Sequence, residues 1–327
     1  MSDLSTRYMG LSLKNPVIAA SSQLTSNIEN LAACEEAGAG AVVLKSLFEE
    51  QILSDSGKIM ANLDPLVHAE AYDYSTVMSQ EYYLDRYLKL VQDAKKTLSI
   101  PVIASLNCVT AGKWIDYAVD FEKMGADALE LNVFIIPVDF KKDSLSIEQI
   151  YLDIAKKIKS KVKIPVAMKI GPHFSALAHM MKNLAGEGIN ALVLFNRFYK
   201  PDIDIESLAV KAAKITSQPD EISLPLQWIS LISGELSCDL SATTGIHGAD
   251  GLIKVLLAGA KAGQLCSILL MKGIGYIKTI LSELSDWMER HEYAAVSDFT
   301  GILCQENIIN PEAYERTQYI KALVGIS

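Results

Sequence analysis

The sequence repeats one unit along its length: a short apolar run, a polar turn, and then a stretch with helical spacing of apolar residues. Eight apolar runs can be recognised, and most are continuous rather than alternating, which is typical of parallel strands buried on both faces. They begin at Pro16, Ala41, Pro101, Ala128, Pro165, Ala191, Cys238 and Ala262. Because a helical pattern follows most of these runs, the repeat favours an α/β fold.

Five segments between these runs carry apolar residues at helical spacing, and four of them end in a glycine-containing element that suits a helix C-cap. The segments are SNIENLAACEEAGAG, WIDYAVDFEKMGAD, IEQIYLDIAKKIKS, ALAHMMKNLAGEGIN and ADGLIKVLLAGAKAG. Eight β/α units in a chain of 327 residues predict a single (β/α)8 TIM-barrel domain over residues 1–327. A doubly wound open sheet is the alternative, and the number of strands favours the barrel.

Two long segments interrupt this rhythm. One runs from Leu47 to Asp85 after the second predicted strand, and the other from Arg197 to Pro225 after the sixth. Both insertions follow the carboxyl ends of strands, which is the active-site face of a barrel. Long loops at this face usually build a substrate lid, and we interpret both insertions in this way.

Composition argues against several classes of protein. The net charge is −9 without long basic runs, so we expect no nucleic-acid partner. The five cysteines show no CxxC spacing, so we expect no metal site and reduced thiols. The sequence has no apolar run near the ~20 residues of a membrane span and no signal-peptide core, which predicts a cytoplasmic protein.

Polar residues collect where the predicted strands end. These positions are Ala20-Ser21, Lys45-Ser46, Asn107, Asn132, Lys169, Asn196, Thr243-Thr244-Gly245 and Cys266-Ser267. A lysine that ends a buried strand costs desolvation free energy unless an anion or a dipole meets it. The small-residue turns after the last two strands lie where barrels often bind phosphate through backbone N–H groups. The sequence therefore predicts a ligand that carries a phosphate.

These features resemble the dihydroorotate dehydrogenase family, in the form of a divergent class 1 member, over nearly the whole chain. The segments that carry the resemblance are NPVIAAS, AVVLKS, LELN, PVAMKIGP and TTGIHGADGLIKVLLAGA. The resemblance implies a TIM barrel, one bound FMN, a small-molecule substrate and a homodimer. The activity that it implies is the oxidation of dihydroorotate to orotate in pyrimidine biosynthesis.

By position, the resemblance also implies roles for individual residues. Ala20 and Ser21 would line the flavin ring, and Lys45 and Ser46 would lie where flavin and substrate meet. Lys169 would lie beside the N1–C2=O edge of the ring, where a fixed cation stabilises the negative charge of a reduced flavin. The other expected cofactor contacts are Asn107, Asn132, Asn196 and, around the phosphate, Thr244, Gly245, Cys266 and Ser267.

The chain departs from the family pattern after Asn132. The family continues with a cysteine or serine that takes a proton from the substrate, and then with an asparagine that binds it; here Ile135 and Pro137 occupy those places. The substrate contacts that remain are Lys45, Asn132 and Arg197, of which Arg197 could hold a carboxylate through two N–H groups. Candidates for a replacement proton acceptor are His173, Tyr72 and Lys45.

Two other functions are compatible with the sequence. The chain could be a flavin-binding protein without this catalysis, with the apolar VFIIP segment as a surface for a partner protein. It could also be a non-redox, phosphate-binding barrel of the aldolase type that uses Lys169 or Lys45 as a Schiff-base amine. The aldolase interpretation leaves the asparagines at the strand ends unexplained.

Overall fold

The computed structural model describes residues 2–48, 69–107, 113–197, 201–212 and 214–308, with the side chains of the helix that begins at Ala69 described from residue 82 onward. The strands in chain order are Thr6–Tyr8 (β1), Leu11–Leu13 (β2), Val17–Ala19 (β3), Ala41–Val43 (β4), Leu47–Phe48 (β5), Val102–Asn107 (β6), Ala128–Asn132 (β7), Val166–Ile170 (β8), Ala191–Leu194 (β9), Pro201–Asp204 (β10), Ala209–Ala212 (β11), Asp239–Thr243 (β12) and Ala262–Leu265 (β13).

Eight of the described strands, β3, β4, β6, β7, β8, β9, β12 and β13, close into a parallel barrel. The ring closes because β3 pairs with both β13 and β4, and β4 pairs with β6. All eight predicted strands are therefore present, and the predicted (β/α)8 fold class is confirmed. The open-sheet alternative is wrong, since an open sheet would leave two of these strands unpaired on one side.

Helices surround this barrel. They are Ile28–Glu36 (α1), Ala69–Thr97 (α2), Lys113–Lys123 (α3), Ser144–Lys159 (α4), Leu177–Gly186 (α5), Ser223–Ile232 (α6), Ala249–Leu257 (α7), Ser267–Lys272 (α8) and Tyr276–Arg290 (α9). The five predicted helical segments correspond to α1, α3, α4, α5 and α7. No helix in the described part of the chain is long and apolar enough to cross a membrane.

Both predicted insertions contain regular structure. From residue 69 onward the first insertion is helix α2, and residues 49–68 lie outside the described residues. No glycine or proline lies between Pro65 and Pro101, which allows one helix of 29 residues. The second insertion contains the antiparallel hairpin β10–β11 and a 3₁₀ turn before α6 begins.

The barrel interior is arranged in layers that follow from the two-residue period of strands. The lowest inward positions are apolar, and Tyr8, Met9 and Leu13 of the β1–β2 hairpin pack beneath them. The inward strand residues of this apolar floor are Ile18, Ala41, Val43, Ile103, Ala128, Ala167, Ala191, Val193 and Ala262. Two residues further along β6, β7 and β13 lie the buried side chains of Ser105, Glu130 and Gln264, which together with the buried Ser241 of β12 form a polar layer.

The strand that follows α1 is interrupted by one extra residue. Val43 pairs with Ile103 and Leu47 pairs with Leu106, so four steps on this strand match three steps on β6. An extra residue of this kind bends a strand locally and is common beside active sites. The interruption lies at residues 44–46 and contains Lys45 and Ser46.

Candidate active site

A cavity of about 270 Å³ opens at the carboxyl ends of the barrel strands. The structure brings together at this cavity most of the site residues predicted from the sequence. Those that line it are Ser21, Lys45, Ser46, Asn132, Lys169, Asn196, Arg197, Thr244, Gly245, Cys266 and Ser267. The polar residues predicted at the carboxyl ends of the strands are far apart in the sequence, and most of them lie together at this one cavity.

Two predicted cofactor residues do not line this cavity. Ala20 is buried, and its backbone N–H donates to the carbonyl of Leu265 at 2.9 Å. Asn107 is the last residue of β6 and lies opposite Phe48 of β5 in the sheet. Both belong to the barrel wall rather than to the cavity surface.

Several lining residues were missed by sequence reasoning. They are Ser22, Gln23, Phe48, Ile215, Ser217, Ile246 and Gln264. Gln264 has a signal in the sequence, since it is an amide within the apolar strand AGQL. Ser217 has none, because it comes from an insertion whose local sequence does not show that the chain returns to the barrel.

Three adjacent strands place two amides and a cation side by side. Asn196, just after β9, donates from Nδ2 to the Oδ1 of Asn132 on β7. Lys169 lies on the strand between them and is the register partner of Asn132. The Lys169 side chain is only 8 % exposed, and its ammonium makes no hydrogen bond or ion pair with any described residue. A buried cation in this state is stabilised by an anion that enters the cavity.

The interrupted strand supplies a second cation and a pair of hydroxyls. Lys45 lines the cavity, and its ammonium has no partner among the described residues. The backbone N–H of Ser46 donates to Ser21 Oγ at 2.9 Å, and the two hydroxyl oxygens lie 3.1 Å apart. The Ser46 hydroxyl also pairs with Ser105 Oγ at 2.7 Å. A chain of hydroxyls therefore leads from the cavity into the polar layer.

The turn after β12 has the geometry of an anion-binding loop. Thr244 and Gly245 both have left-handed backbone conformations, with φ of 76° and 79°. The Gly245 N–H points to Ser217 Oγ at 3.4 Å, and that hydroxyl lies 3.0 Å from His247 Nε2. A Cβ at Gly245 would lie 2.2 Å from the backbone nitrogen of Ile222, so only glycine fits. Successive N–H groups in such a turn form a concave site that suits a phosphate.

Cys266 lies beside this turn, after β13. Burial raises the pKa of the Cys266 thiol, and the nearby positive charges of Lys169 and Arg197 oppose that shift only in part. The thiol is therefore neutral at physiological pH, and Cys266 is a cavity wall residue rather than a thiolate nucleophile.

Arg197 lies on the cavity wall, but its donors are largely engaged within the protein. Its Nε donates to Glu221 Oε2 at 2.8 Å, and one of its terminal nitrogens donates to Glu221 Oε1 at 3.3 Å. The other terminal nitrogen reaches the carbonyl oxygens of Lys214 and Ile215, each at 3.1 Å. Arg197 thus connects the start of the second insertion to its later part, and this structure leaves it few donors for a substrate carboxylate.

The segment after Asn132 does not contribute to the cavity lining. The Ile135 N–H donates to Tyr151 Oη of α4 at 3.1 Å, and the Ile136, Val138 and Phe140 side chains are exposed. His173, one candidate proton acceptor, is exposed at a separate cavity of about 170 Å³ that also includes Pro137.

Of the other candidate proton acceptors, Tyr72 belongs to α2, and its side chain lies outside the described residues. Of the two candidates whose side chains are described, Lys45 lines the main cavity and His173 does not. In the described part of the chain, no cluster of three or more His, Cys, Asp or Glu side chains could hold a metal ion.

Comparison with known proteins identifies the family. The family model described as dihydroorotate dehydrogenase matches residues 3–288. The chain belongs to the dihydroorotate dehydrogenase family. The matched residues include all eight strands of the barrel, and members of this family are flavin-dependent oxidoreductases.

Three relatives show how widely the similarity extends. The catalytic subunit of dihydroorotate dehydrogenase B (NAD(+)) from Thermoplasma acidophilum is 26 % identical over 307 residues, covering 92 % of this chain and 99 % of that protein. The same subunit from Pyrococcus abyssi is 24 % identical over 318 residues, covering 91 % and 98 %. The chloroplastic dihydropyrimidine dehydrogenase (NADP(+)) of Arabidopsis thaliana is 20 % identical over 326 residues, covering 91 % and 76 %. The dihydroorotate dehydrogenase scaffold is therefore present over nearly the whole chain.

Proposed function

We propose that the chain binds FMN in the main cavity and acts as an oxidoreductase on a CH–CH bond of a small cyclic substrate. The observation that carries this proposal is the buried ammonium of Lys169, which no described residue pairs and which faces the cavity. Membership of the dihydroorotate dehydrogenase family supports the same assignment. The proposed reaction is thus of the dihydroorotate-to-orotate type.

The residues at the cavity fit FMN at both ends of the molecule. The Thr244–Gly245 turn, with Ser217 and Ser267 beside it, offers backbone and hydroxyl donors for the phosphate. Lys169 offers a cation where the flavin ring gains negative charge on reduction. Bound FMN would supply an acceptor for two electrons and one proton.

The substrate class follows from the cavity and from the names of the relatives. Dihydroorotate dehydrogenases and a dihydropyrimidine dehydrogenase are among the proteins that this chain resembles, and both names describe a dihydropyrimidine ring. Lys45 and Asn132 offer a cation and an amide that suit the oxygens of such a ring or of an attached carboxylate. We therefore propose an anionic, dihydropyrimidine-like substrate.

Dihydroorotate itself is proposed to be a poor substrate. The resemblance assigns the position of the proton acceptor to Ile135, whose hydrocarbon side chain takes no proton. That segment is also absent from the cavity lining. The natural substrate would then differ from dihydroorotate, or the proton would leave by another route.

A visible absorption spectrum of the purified protein tests the proposal. We expect the two absorption bands of a bound flavin, which acid releases as FMN. Anaerobic addition of dihydroorotate should leave the flavin band unchanged for minutes, whereas dithionite should bleach it. A colourless protein that takes up no added FMN would contradict the proposal. Rapid bleaching by dihydroorotate would contradict only the substrate assignment.

A second candidate function is supported by the exposed apolar segment after Asn132. Ile136, Val138 and Phe140 are large apolar side chains at the surface, which is unusual for a loop without a partner. In this alternative the chain binds flavin and serves as one subunit of a larger assembly. Pull-down of a stable partner by the native protein, and its loss on substitution of Phe140→Ser, would favour this function.

A further inference from the structure

Ser217 joins the turn after β12 to a histidine outside the main cavity. Ser217 and Gly245 line the main cavity, whereas His247 lines an outer cavity of about 550 Å³ that shares Gly245 as a wall. Ser217 is only 2 % exposed; its Oγ lies 3.0 Å from His247 Nε2 and faces the Gly245 N–H at 3.4 Å. Its backbone N–H donates to Ser267 Oγ at 2.9 Å, which fixes its position. The imidazole of His247 is therefore one hydroxyl away from the main cavity.

The hydrogens at this contact determine what Ser217 can offer a ligand. A hydroxyl has one hydrogen and two acceptor lone pairs, and a neutral imidazole has one N–H and one acceptor nitrogen. When His247 Nε2 is the acceptor, it takes the single hydrogen of the Ser217 hydroxyl. When His247 is protonated, Ser217 Oγ accepts from Nε2 as well as from the Gly245 N–H. The hydroxyl hydrogen of Ser217 is then left for an acceptor in the main cavity, such as a phosphate oxygen.

The surroundings of His247 favour its neutral form in the ligand-free protein. Burial lowers the pKa of the imidazole, and a hydrogen bond to the Ser217 backbone and the charge of Glu221 oppose this shift only in part. The positive charge of Lys272 lowers the pKa further. Helix α7 begins at Ala249, two residues after His247, and the positive end of its dipole also disfavours an imidazolium. His247 can therefore gain a proton when a negative charge arrives beside it.

Other titratable groups face His247 from the helices around the outer cavity. Those that line the outer cavity with it are Asp250 and Lys254 of α7 and Tyr276, Glu283, Asp286 and Arg290 of α9. Glu221, on the turn before α6, is paired with Arg197. None of the groups that line the outer cavity with His247 also lines the main cavity, whereas Ser217 connects His247 to it. A phosphate in the main cavity would therefore act on His247 more directly than on these groups.

We propose that His247 takes up a proton when the phosphate of FMN binds, and that the imidazolium directs the Ser217 hydroxyl to that phosphate. This inference rests on the proposed function. A phosphate monoester carries a charge of about −1.5 to −2 at pH 7, and an anion close to an imidazole favours its protonated form. The proton comes from solvent and stays on the imidazole. The neutral tautomer with a proton on Nε2 would free the same hydroxyl hydrogen but would add no charge opposite the phosphate.

Isothermal titration calorimetry of the flavin-free protein with FMN measures this proton. At neutral pH, the binding enthalpy should be less favourable in Tris than in HEPES, because Tris absorbs more heat when it gives up a proton. The FMN affinity should also fall as the pH rises from about 7 to about 8.5, by up to ~10-fold per pH unit for one linked proton. The phosphate of FMN, with a second pKa of about 6, would release a proton on binding rather than take one up. Net uptake would therefore come from the protein.

His247→Gln keeps an amide that can donate to Ser217 but takes up no proton. Its FMN binding should show no proton uptake, and its affinity should not fall over this pH range. His179→Gln, on the exposed surface of α5, is the matched control and should keep the proton uptake of the wild type. Uptake that persists in His247→Gln, or wild-type binding of FMN without uptake, would overturn the inference.

Riboflavin, which lacks the phosphate of FMN, provides a test in the wild-type protein that does not depend on the folding of a variant. It should bind more weakly than FMN and without proton uptake. Equal uptake with riboflavin and FMN would assign the proton to a group other than His247 and overturn the inference. A protein that binds no FMN would instead overturn the proposed function, and with it this inference.

Discussion

At the scale of single residues, Lys169 has a charge that the described protein does not neutralise. Its side chain is buried at the end of β8, between two hydrogen-bonded asparagines. A residue in this state lowers the stability of the ligand-free protein and increases the affinity for an anionic ligand. Stability and ligand binding should therefore change in opposite directions when Lys169 is replaced.

We expect Lys169→Met to make the flavin-free protein more stable, by about 1 kcal/mol or more, because a buried and unpaired cation is removed. The same substitution should lower the reduction potential of the FMN-loaded protein by tens of millivolts, where ~30 mV corresponds to ~1.4 kcal/mol for a two-electron couple. Urea denaturation and spectroelectrochemistry measure the two effects. Lys182→Met, on the exposed surface of α5, should change neither quantity. A flavin-free protein destabilised by Lys169→Met would contradict the expectation.

A second prediction at the scale of single residues concerns the substitution of Gly245. A methyl group there would meet the backbone of Ile222 at 2.2 Å, in a left-handed conformation that other residues rarely adopt. We expect Gly245→Ala to lose at least tenfold in FMN affinity and about 1–3 kcal/mol of stability. Flavin fluorescence titration and thermal denaturation measure both.

Gly248→Ala is the matched control for Gly245→Ala. It lies three residues along the same loop, has an extended backbone, and would place its Cβ in open space. Its FMN affinity should stay within twofold of the wild type. Equal effects of the two substitutions would show that the loop as a whole, rather than the conformation of Gly245, determines binding.

At the scale of secondary-structure elements, helix α2 stabilises the sheet where the strand before it is interrupted. Ser105 lies opposite the extra residue at 44–46. Its backbone N–H donates to Tyr87 Oη at 2.8 Å, and Tyr87 Oη donates to its carbonyl at 2.9 Å. One phenol from α2 therefore replaces the ladder partner that the interruption removes. The position of Lys45 and Ser46 depends on a helix that comes later in the chain.

We expect Tyr87→Phe to cost about 2–4 kcal/mol of stability, since it leaves a buried N–H and a buried C=O without partners at ~1–3 kcal/mol each. Urea denaturation measures this loss. Tyr82→Phe, one helical turn and a residue earlier on α2 and 57 % exposed, should stay within about 0.5 kcal/mol. A Tyr87→Phe protein as stable as the Tyr82→Phe protein would show that water replaces the phenol.

The strands and helices that were predicted from the sequence have one property in common. The pattern of apolar residues and caps within each segment is enough to specify its secondary structure. The eight strands are continuous apolar runs, and α1, α3, α4, α5 and α7 carry clear apolar faces ended by caps such as Gly259, whose φ is 117°. Helix α2 was interpreted as a loop because its polar, tyrosine-rich start hides the helical period. The β10–β11 hairpin was missed because its strands lie outside the barrel and expose both faces.

The residues of the cavity were also predictable only in part. Residues at strand ends, such as Lys45, Lys169 and Asn196, could be found because the barrel fold fixes where strand ends meet. Ser217 could not, since its place depends on the path of an insertion. The engagement of Arg197 by Glu221 could not be predicted either, because the two residues are 24 positions apart in the chain and meet only in three dimensions.

At the scale of the whole molecule, the β10–β11 hairpin presents an apolar surface. Ile203, Ile205, Leu208 and Val210 are 64 %, 76 %, 86 % and 76 % exposed. A two-stranded hairpin is marginally stable alone in water, and a partner that covers its apolar side chains would stabilise it. We expect the partner to be a second copy of the chain, which agrees with the homodimer that the family resemblance implies.

Size-exclusion chromatography with light scattering tests this expectation. The wild type should elute with twice the mass of the chain, and Ile205→Asp with Leu208→Asp should elute as a monomer. Leu303→Asp, an exposed leucine outside the hairpin, should remain a dimer. A monomeric wild type, or a dimer that survives the double substitution, would show that the hairpin serves another purpose.

The layered interior of the barrel has a consequence for how such a chain evolves. The apolar floor and the β1–β2 hairpin form the closed end of the barrel, while residues at the carboxyl ends of the strands line the cavity. Substitutions at the strand ends and in the loops beyond them can therefore be selected without any change in the apolar floor. Descendants of one ancestral barrel could then diverge in substrate before they diverge in shape. Ile135 at the position where the family resemblance implies a reactive side chain would be a change of this kind.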